Sequence, residues 1–183
     1  ATEIEILSEI ITKSYVEAVT HLITSGPTTS AQRREIKSVY TAMHGVGWQT
    51  LKEVFLAAEI SEPIAVTEQR DPDPAFPTVA FPNPEEKGAL DLALALATQS
   101  GADVVIANDP DADRLAIALP TIDNNWLALR GDQIGCLLAW WIIERNSDQK
   151  LIGTFANSIV SSMLLEQIAK HAGLNYEATL TGF

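Results

Sequence analysis

The chain has 183 residues, of which 46% are hydrophobic and 20% charged, with a mean hydropathy of +0.09 and a net charge of −12. This excludes a disordered tail, and the length suits one full domain, or one domain plus part of a second. So acidic a chain is unsuited to wrapping nucleic acid or an anionic membrane, and its longest apolar run, Cys136 to Ile143, falls well short of the ~20 residues of a membrane helix.

In chain order, Ile4, Leu7, Ile10, Ile11 and Tyr15 fall at helical spacing and predict an opening helix over 3–23. The small and polar run Thr24 to Ala31 reads as a loop. A strand is expected over Ile36 to Met43, ending at His44-Gly45-Val46-Gly47, then a helix over Trp48 to Ile60 and a short strand over Pro63 to Thr67. The proline-rich stretch 68–84 reads as a long loop, and Glu85 to Gln99 as an Ala/Leu helix capped by Asn83 with Pro84 in its first turn. Asp103 to Ala107 has the wholly apolar middle of a strand buried on both faces. Strands at Leu115 to Leu119 and around Leu127 follow, separated by a turn at Asp123-Asn124-Asn125. The remainder reads as helix Gly131 to Arg145, strand Lys150 to Phe155, helix Asn157 to His171 and strand Tyr176 to Leu180.

Strands alternating with helices of this length define an α/β chain. The expected architecture is a mostly parallel mixed sheet flanked by helices and built from βαβ units, one complete domain plus part of a second similar one. Most of the negative charge lies before residue 120, and the expected division is 1–122 and 123–183. A start at Ala1 and a stop within Thr181-Gly182-Phe183 give the expectation of a piece of a longer protein. The single cysteine, Cys136, allows no internal disulfide, and the first ten residues carry three glutamates and no basic leader, so a reducing, cytoplasmic setting is expected.

The chemistry is concentrated in Asn108-Asp109-Pro110-Asp111-Ala112-Asp113-Arg114. Three carboxylates alternate at i, i+2 and i+4 directly after a buried strand, where ligands of open α/β sheets gather. Like charges so close repel, and a bound cation resolves the repulsion. All-oxygen donors suit a hard divalent ion, Mg²⁺ above all. Arg114 follows at once and could hold a phosphate beside the metal. An EF-hand starting at Asp109 fails, because its sixth and twelfth positions are Arg114 and Pro120 rather than Gly and Glu. An aspartyl-nucleophile phosphatase would want Thr where Asp113 stands. A solvated acidic turn is the bland alternative.

Asn108 to Arg114 resembles the metal-binding loop of the α-D-phosphohexomutases, the phosphoglucomutase and phosphomannomutase superfamily. Tyr40 to Gly47 resembles the strand and loop that open that family's second domain. Phe76-Pro77 with Pro82-Asn83-Pro84-Glu85 resembles its Phe-Pro … Asn-Pro-Glu segment, and Thr179 to Phe183 the start of a third-domain loop. The resemblance implies the metal-binding second domain and the first part of the third domain of a four-domain mutase. Such an enzyme interconverts hexose 1-phosphate and hexose 6-phosphate through a phosphoserine and a bisphosphorylated hexose, and pentose-phosphate mutases belong to the same superfamily. It further implies that Asp109, Asp111 and Asp113 hold Mg²⁺, that Arg114 contacts phosphate, and that the remaining mutase domains complete the cleft. Pro110 and Ala112 stand where many members have Gly. No Ser-His phosphoacceptor motif occurs in these residues, so the fragment alone is expected to be inactive. The alternatives are a non-catalytic metal- or nucleotide-binding α/β module, or a pseudo-enzyme relative.

Other residues carry plainer expectations. His44 either lines the cleft near the metal loop or fixes its own loop by hydrogen bonds. His21 and His171 sit late in helices, where a cation suits the helix dipole. Ser158, Ser161 and Ser162 read as capping or packing residues at the start of a helix, Arg130 as a surface arginine, Trp140 and Trp141 as core, and Cys136 as a buried, unreactive thiol.

Overall fold

The computed structural model describes residues 9–148 and 151–181, which form two compact units meeting at Leu127–Ala128. The first holds α1 (Ile10–Thr24), α2 (Ser30–Glu35), β1 (Ser38–Thr41), α3 (Gly47–Ala57), β2 (Ile64–Ala65), α4 (Asp91–Ser100), β3 (Val104–Asn108) and β4 (Leu115–Pro120). β5 (Trp126–Leu129) completes a five-stranded sheet of order β2-β1-β3-β4-β5. β1 lies between β2 and β3, buried along its whole length and parallel to both neighbours, with Val39 opposite Ile64 and Val105. β3 and β4 are antiparallel, with Asn108 opposite Leu115. The residues between them are too few for a crossover, so the acidic loop is a hairpin connection at the carboxyl end of β3.

Small side chains let the layers close. Ala93 and Ala97 of α4, one helical turn apart and fully buried, pack with Val39, Val66, Ala102, Val105 and Ala118. A second cluster, Met43, Ala89, Leu90, Ala107 and Ala116, lies beneath the strand ends that carry the acidic loop. The second unit contains α5 (Gly131–Arg145), β6 (Thr154–Ser158), α6 (Leu164–His171) and β7 (Asn175–Thr179). β6 and β7 pair in parallel through α6, over a core of Cys136, Ala139, Leu165, Phe155, Ile168 and Tyr176. Among the described residues no helix is long and apolar enough to cross a membrane.

Several expectations change in detail. Part of the expected loop 24–31 is the start of α2, opened by a capping box in which Gln32 N donates to Thr29 Oγ1 and Thr29 N to Gln32 Oε1. The expected helix at Glu85 starts only at Asp91. Gly88 has φ +86, which an α-helix cannot pass through, and Asn83 closes a turn by accepting from Glu85 N at 3.1 Å instead of capping a helix. The helix expected from Asn157 starts at Leu164, because Asn157 and Ser158 continue β6 opposite Ala178 and Thr179. Ser158 therefore ends a strand and bonds Ser161 Oγ at 3.1 Å, while Ser162 Oγ accepts from Leu164 N at the new helix start. Trp140 and Trp141 are 46% and 41% exposed rather than core, since the two-stranded sheet covers only the Cys136 side of α5. Arg130 is exposed and paired with Asp132, and Cys136 is buried with its thiol pushed up by desolvation. Residues 3–8 of the opening helix, Lys150 and Gly182-Phe183 lie outside the described residues.

Arg33 is a buried cation that periodicity did not single out. Its Nε donates to the Ala58 carbonyl at 2.7 Å and its Nη1 to the Thr28 carbonyl at 2.5 Å, tying α2 to the end of α3. Removing it strands two acceptors, one of them on the fully buried Ala58. Arg33→Ala is expected to cost about 3 kcal/mol in urea unfolding.

Candidate functional site

Two loops at the carboxyl ends of adjacent strands make the site. β1 runs into 42–47 and β3 into 109–114. They meet through backbone: Val46 N donates to the Pro110 carbonyl at 2.9 Å, and a Cβ on Gly45 would stand 2.2 Å from Pro110 Cα and from its carbonyl oxygen. Only glycine permits that approach. Met43 and His44 take left-handed φ of 47° and 61°, unusual for side chains of this size.

A polar network, buried at Thr41, His44 and Gln69 and reaching the surface at Thr78, holds the first loop in this shape. Thr41 Oγ1 donates to Gln69 Oε1 at 2.7 Å and accepts from Met43 N at 3.0 Å. Gln69 Nε2 donates to Thr78 Oγ1 at 2.9 Å, and His44 Nε2 lies 2.8 Å from the same hydroxyl. His44 N donates to the Gln69 carbonyl, and the His44 carbonyl accepts from Asp73 N. His44 is 3% exposed, with its ring edge against Phe76. Its observed partners are those of a histidine that fixes a loop. Gln69 and Thr78 were not singled out from the sequence, since nothing in the proline-rich stretch distinguishes their side chains from solvated ones.

In the second loop Asp109, Asp111 and Asp113 each bring a carboxylate oxygen within 4.8 Å of the others. The alternation in sequence thus becomes convergence in space. Asp109 is 5% exposed; its Oδ1 accepts from Arg114 N at 3.0 Å and its Oδ2 lies 3.4 Å from Arg114 Nε. Arg114 Nε also faces Asp113 at 3.8 Å, and the arginine is 56% exposed. The Asp113 carboxyl is held above its ordinary range by desolvation, then by the Asp111 charge and by Asp109 as hydrogen-bond partner and neighbouring charge, with Arg114 opposing. Three converging oxygen donors with surplus negative charge are the donor set of a hard divalent cation. Ala112 adopts a left-handed φ of 60°. Beside the loop a cleft of about 440 Å³ is lined by Tyr15, Val46, Gly47, Thr50, Asn108 and Asp111.

The same elements match known proteins. The family model described as phosphoglucomutase/phosphomannomutase, alpha/beta/alpha domain II, matches residues 13–122, and that for alpha/beta/alpha domain III matches residues 130–183. Together they mark the chain as domain II and domain III of one α/β family. The chain belongs to the phosphoglucomutase/phosphomannomutase family. It is 50% identical over 149 residues to the "Probable phosphomannomutase" of Haemophilus influenzae, covering 81% of this chain and 30% of that protein. It is 46% identical over 156 residues to the human "Phosphopentomutase", covering 81% of this chain and 26% of the relative. With the "Phosphoribomutase" of Saccharomyces cerevisiae it shares 38% identity over 187 residues, 96% of this chain and 30% of the relative. The chain therefore spans about a third or less of the relatives it matches. Among solved structures, a phosphoglucomutase/phosphomannomutase family protein of Burkholderia thailandensis shares the fold with a TM-score of 0.72 at 20% identity, over 94% of this chain and 33% of that one. Aspergillus fumigatus N-acetylphosphoglucosamine mutase, solved with GlcNAc-6P and magnesium, aligns with a TM-score of 0.60 at 18% identity, over 94% and 34%.

The Gly45–Pro110 contact gives a direct test. Gly45→Ala is expected to lose about 2 kcal/mol or more in denaturant unfolding, because backbone rather than a movable side chain blocks the new methyl. Val46→Ala, at an exposed side chain one residue away, is expected to stay within about 0.5 kcal/mol of the parent.

Proposed function

We propose that this chain is the cation-binding central portion of a sugar-phosphate mutase, with residues 1–122 as its second domain and 123–183 as the beginning of its third. The observation that carries this reading is the convergence of Asp109, Asp111 and Asp113 within 4.8 Å on a strand-end hairpin of a domain belonging to this family. In it, the three carboxylates hold Mg²⁺ through oxygen, with Asp109 anchored by the Arg114 amide. The ion supplies neutralisation of the charge spread over the phosphoryl oxygens, the main demand of phosphoryl transfer.

In this reading Arg114, whose exposed guanidinium faces Asp109 and Asp113, turns toward a phosphate oxygen and orients the group being transferred. His44, through Thr78, keeps the 42–47 loop seated on Pro110 rather than touching substrate. The substrates under this reading are a hexose 1-phosphate, its 6-phosphate and the bisphosphate between them, in the cytoplasm. The names of the relatives extend the substrate class to pentose phosphates. The phosphoacceptor serine would come from another part of the parent protein, since no Ser-His motif occurs in residues 1–183, and the fragment alone would not turn over. The net charge of −12 supports a cleft shared with basic groups of the remaining domains, because this chain's own field repels a phosphorylated sugar.

The test is turnover of glucose, mannose and ribose 1-phosphates by the full-length parent with Mg²⁺ and a trace of the matching bisphosphate, alongside Asp111→Ala. The expected result is mutase activity on at least one sugar that falls by about 10²-fold or more in the variant. Equal activity in both would remove the aspartates from the mechanism, and no activity on any of the three would favour the non-catalytic alternative.

A further inference from the structure

We propose that Tyr40 and Asn108 are positioning residues that set the shape of the acidic loop from behind, and that the Tyr40 hydroxyl governs how tightly the loop binds its cation. The proposal rests on the cation reading above and goes beyond it, because neither residue is a candidate ligand. Tyr40 stands on β1 and Asn108 ends β3, so the two side chains meet across the central strand pair at the base of the hairpin.

The hydrogen bonds allow only one polarity. The Arg114 carbonyl can only accept, so the Asn108 atom 2.7 Å from it must be the amide nitrogen Nδ2. That leaves Oδ1 facing Tyr40 Oη at 3.0 Å, and the phenol must donate. Without the hydroxyl Asn108 Oδ1 loses this donor, and the amide is held through its nitrogen at the Arg114 carbonyl without support from β1. Asn108 grips Arg114 by its carbonyl, while its chain neighbour Asp109 grips the same residue by its amide through Oδ1. The Arg114 backbone is thereby clamped from both sides, and one of the clamps is the buried member of the carboxylate group. Releasing the carbonyl side loosens the residue whose amide orients the Asp109 carboxylate.

The hydroxyl is itself boxed in. A Cβ on Gly47 would lie 2.4 Å from Tyr40 Oη and 3.4 Å from Ala112 Cβ, and the Tyr40 ring stacks on Trp48 with centroids 6.0 Å apart. The ring's place is therefore held by packing, and Tyr40→Phe removes the donor without removing the contact surface. Partners behind a metal's own ligands govern affinity in this way elsewhere, typically by 10–100-fold.

The test uses the 183-residue chain and Mn²⁺, titrated by calorimetry and by the electron paramagnetic resonance signal of the free ion. The variants are Tyr40→Phe, Asn108→Leu, which removes the donor and acceptor at similar size without adding charge, and Arg33→Ala, which destabilises the fold away from the loop. All are measured below their melting temperatures. The expected result is Mn²⁺ binding about 10-fold or more weaker in Tyr40→Phe and Asn108→Leu, and unchanged in Arg33→Ala. Unchanged affinity in Tyr40→Phe overturns the proposal and leaves the cation site standing. Equal weakening in Arg33→Ala overturns it too, by showing that general destabilisation is enough. No Mn²⁺ binding by the parent chain would overturn the cation reading itself, and this inference with it.

Discussion

Gly45 and Pro110 meet backbone to backbone, with no room between them for even a methyl group. Two strand ends that belong to different parts of the sequence are thereby held together, and the hydrogen bond from Val46 N to the Pro110 carbonyl closes the contact. Everything around the candidate site answers to it. The left-handed residues Met43 and His44 turn the β1 loop toward Pro110, and the Thr41–Gln69–Thr78–His44 network holds that turn from the buried side. Left-handed backbone at residues other than glycine is costly, and it persists where surrounding contacts over-determine it. The hydrogen-bonded interior of this loop is such a surrounding.

Charge sets the opposing demand. Three carboxylates converge at the hairpin, and the Asp113 carboxyl is raised by desolvation and by its two acidic neighbours. Arg114 offsets part of this through Asp109 and Asp113. A loop free to move would relieve the rest by spreading. The Pro110 contact, the Asn108–Arg114 clamp and the antiparallel pairing of Asn108 with Leu115 all oppose spreading. The site is thus a concentrated negative charge kept in place by uncharged contacts, and a small divalent cation is the natural counterweight.

Much of this was legible in the sequence, for identifiable reasons. The strands over Ser38–Thr41 and Val104–Asn108 are legible in the sequence, and the i, i+2, i+4 spacing of the aspartates after the second pointed to the convergence of their carboxylates. What stayed hidden depended on partners distant in the chain. Arg33 was not singled out, because its acceptors include Ala58, 25 positions away. The role of the Tyr40 hydroxyl was not legible either, because its partner, Asn108, lies 68 positions away. The late starts of α4 and α6 were hidden for a different reason. Gly88 and the extension of β6 through Ser158 interrupt segments whose composition alone suits a helix. The α2 capping box, by contrast, was present in Thr29-Ser30-Ala31-Gln32 and outweighed by the small polar residues around it.

The central claim is that Asp109, Asp111 and Asp113 form one hard-cation site held in shape by the docking of the β1 loop on Pro110. The most direct measurement is a crystal structure of the chain grown with Mn²⁺, with data collected at a wavelength where manganese scatters anomalously. The account predicts a single strong anomalous peak bound by carboxylate oxygens of all three aspartates at about 2.0–2.3 Å, with Gly45 still against Pro110. A loop without the peak at saturating Mn²⁺, or a peak held by other residues, would contradict it.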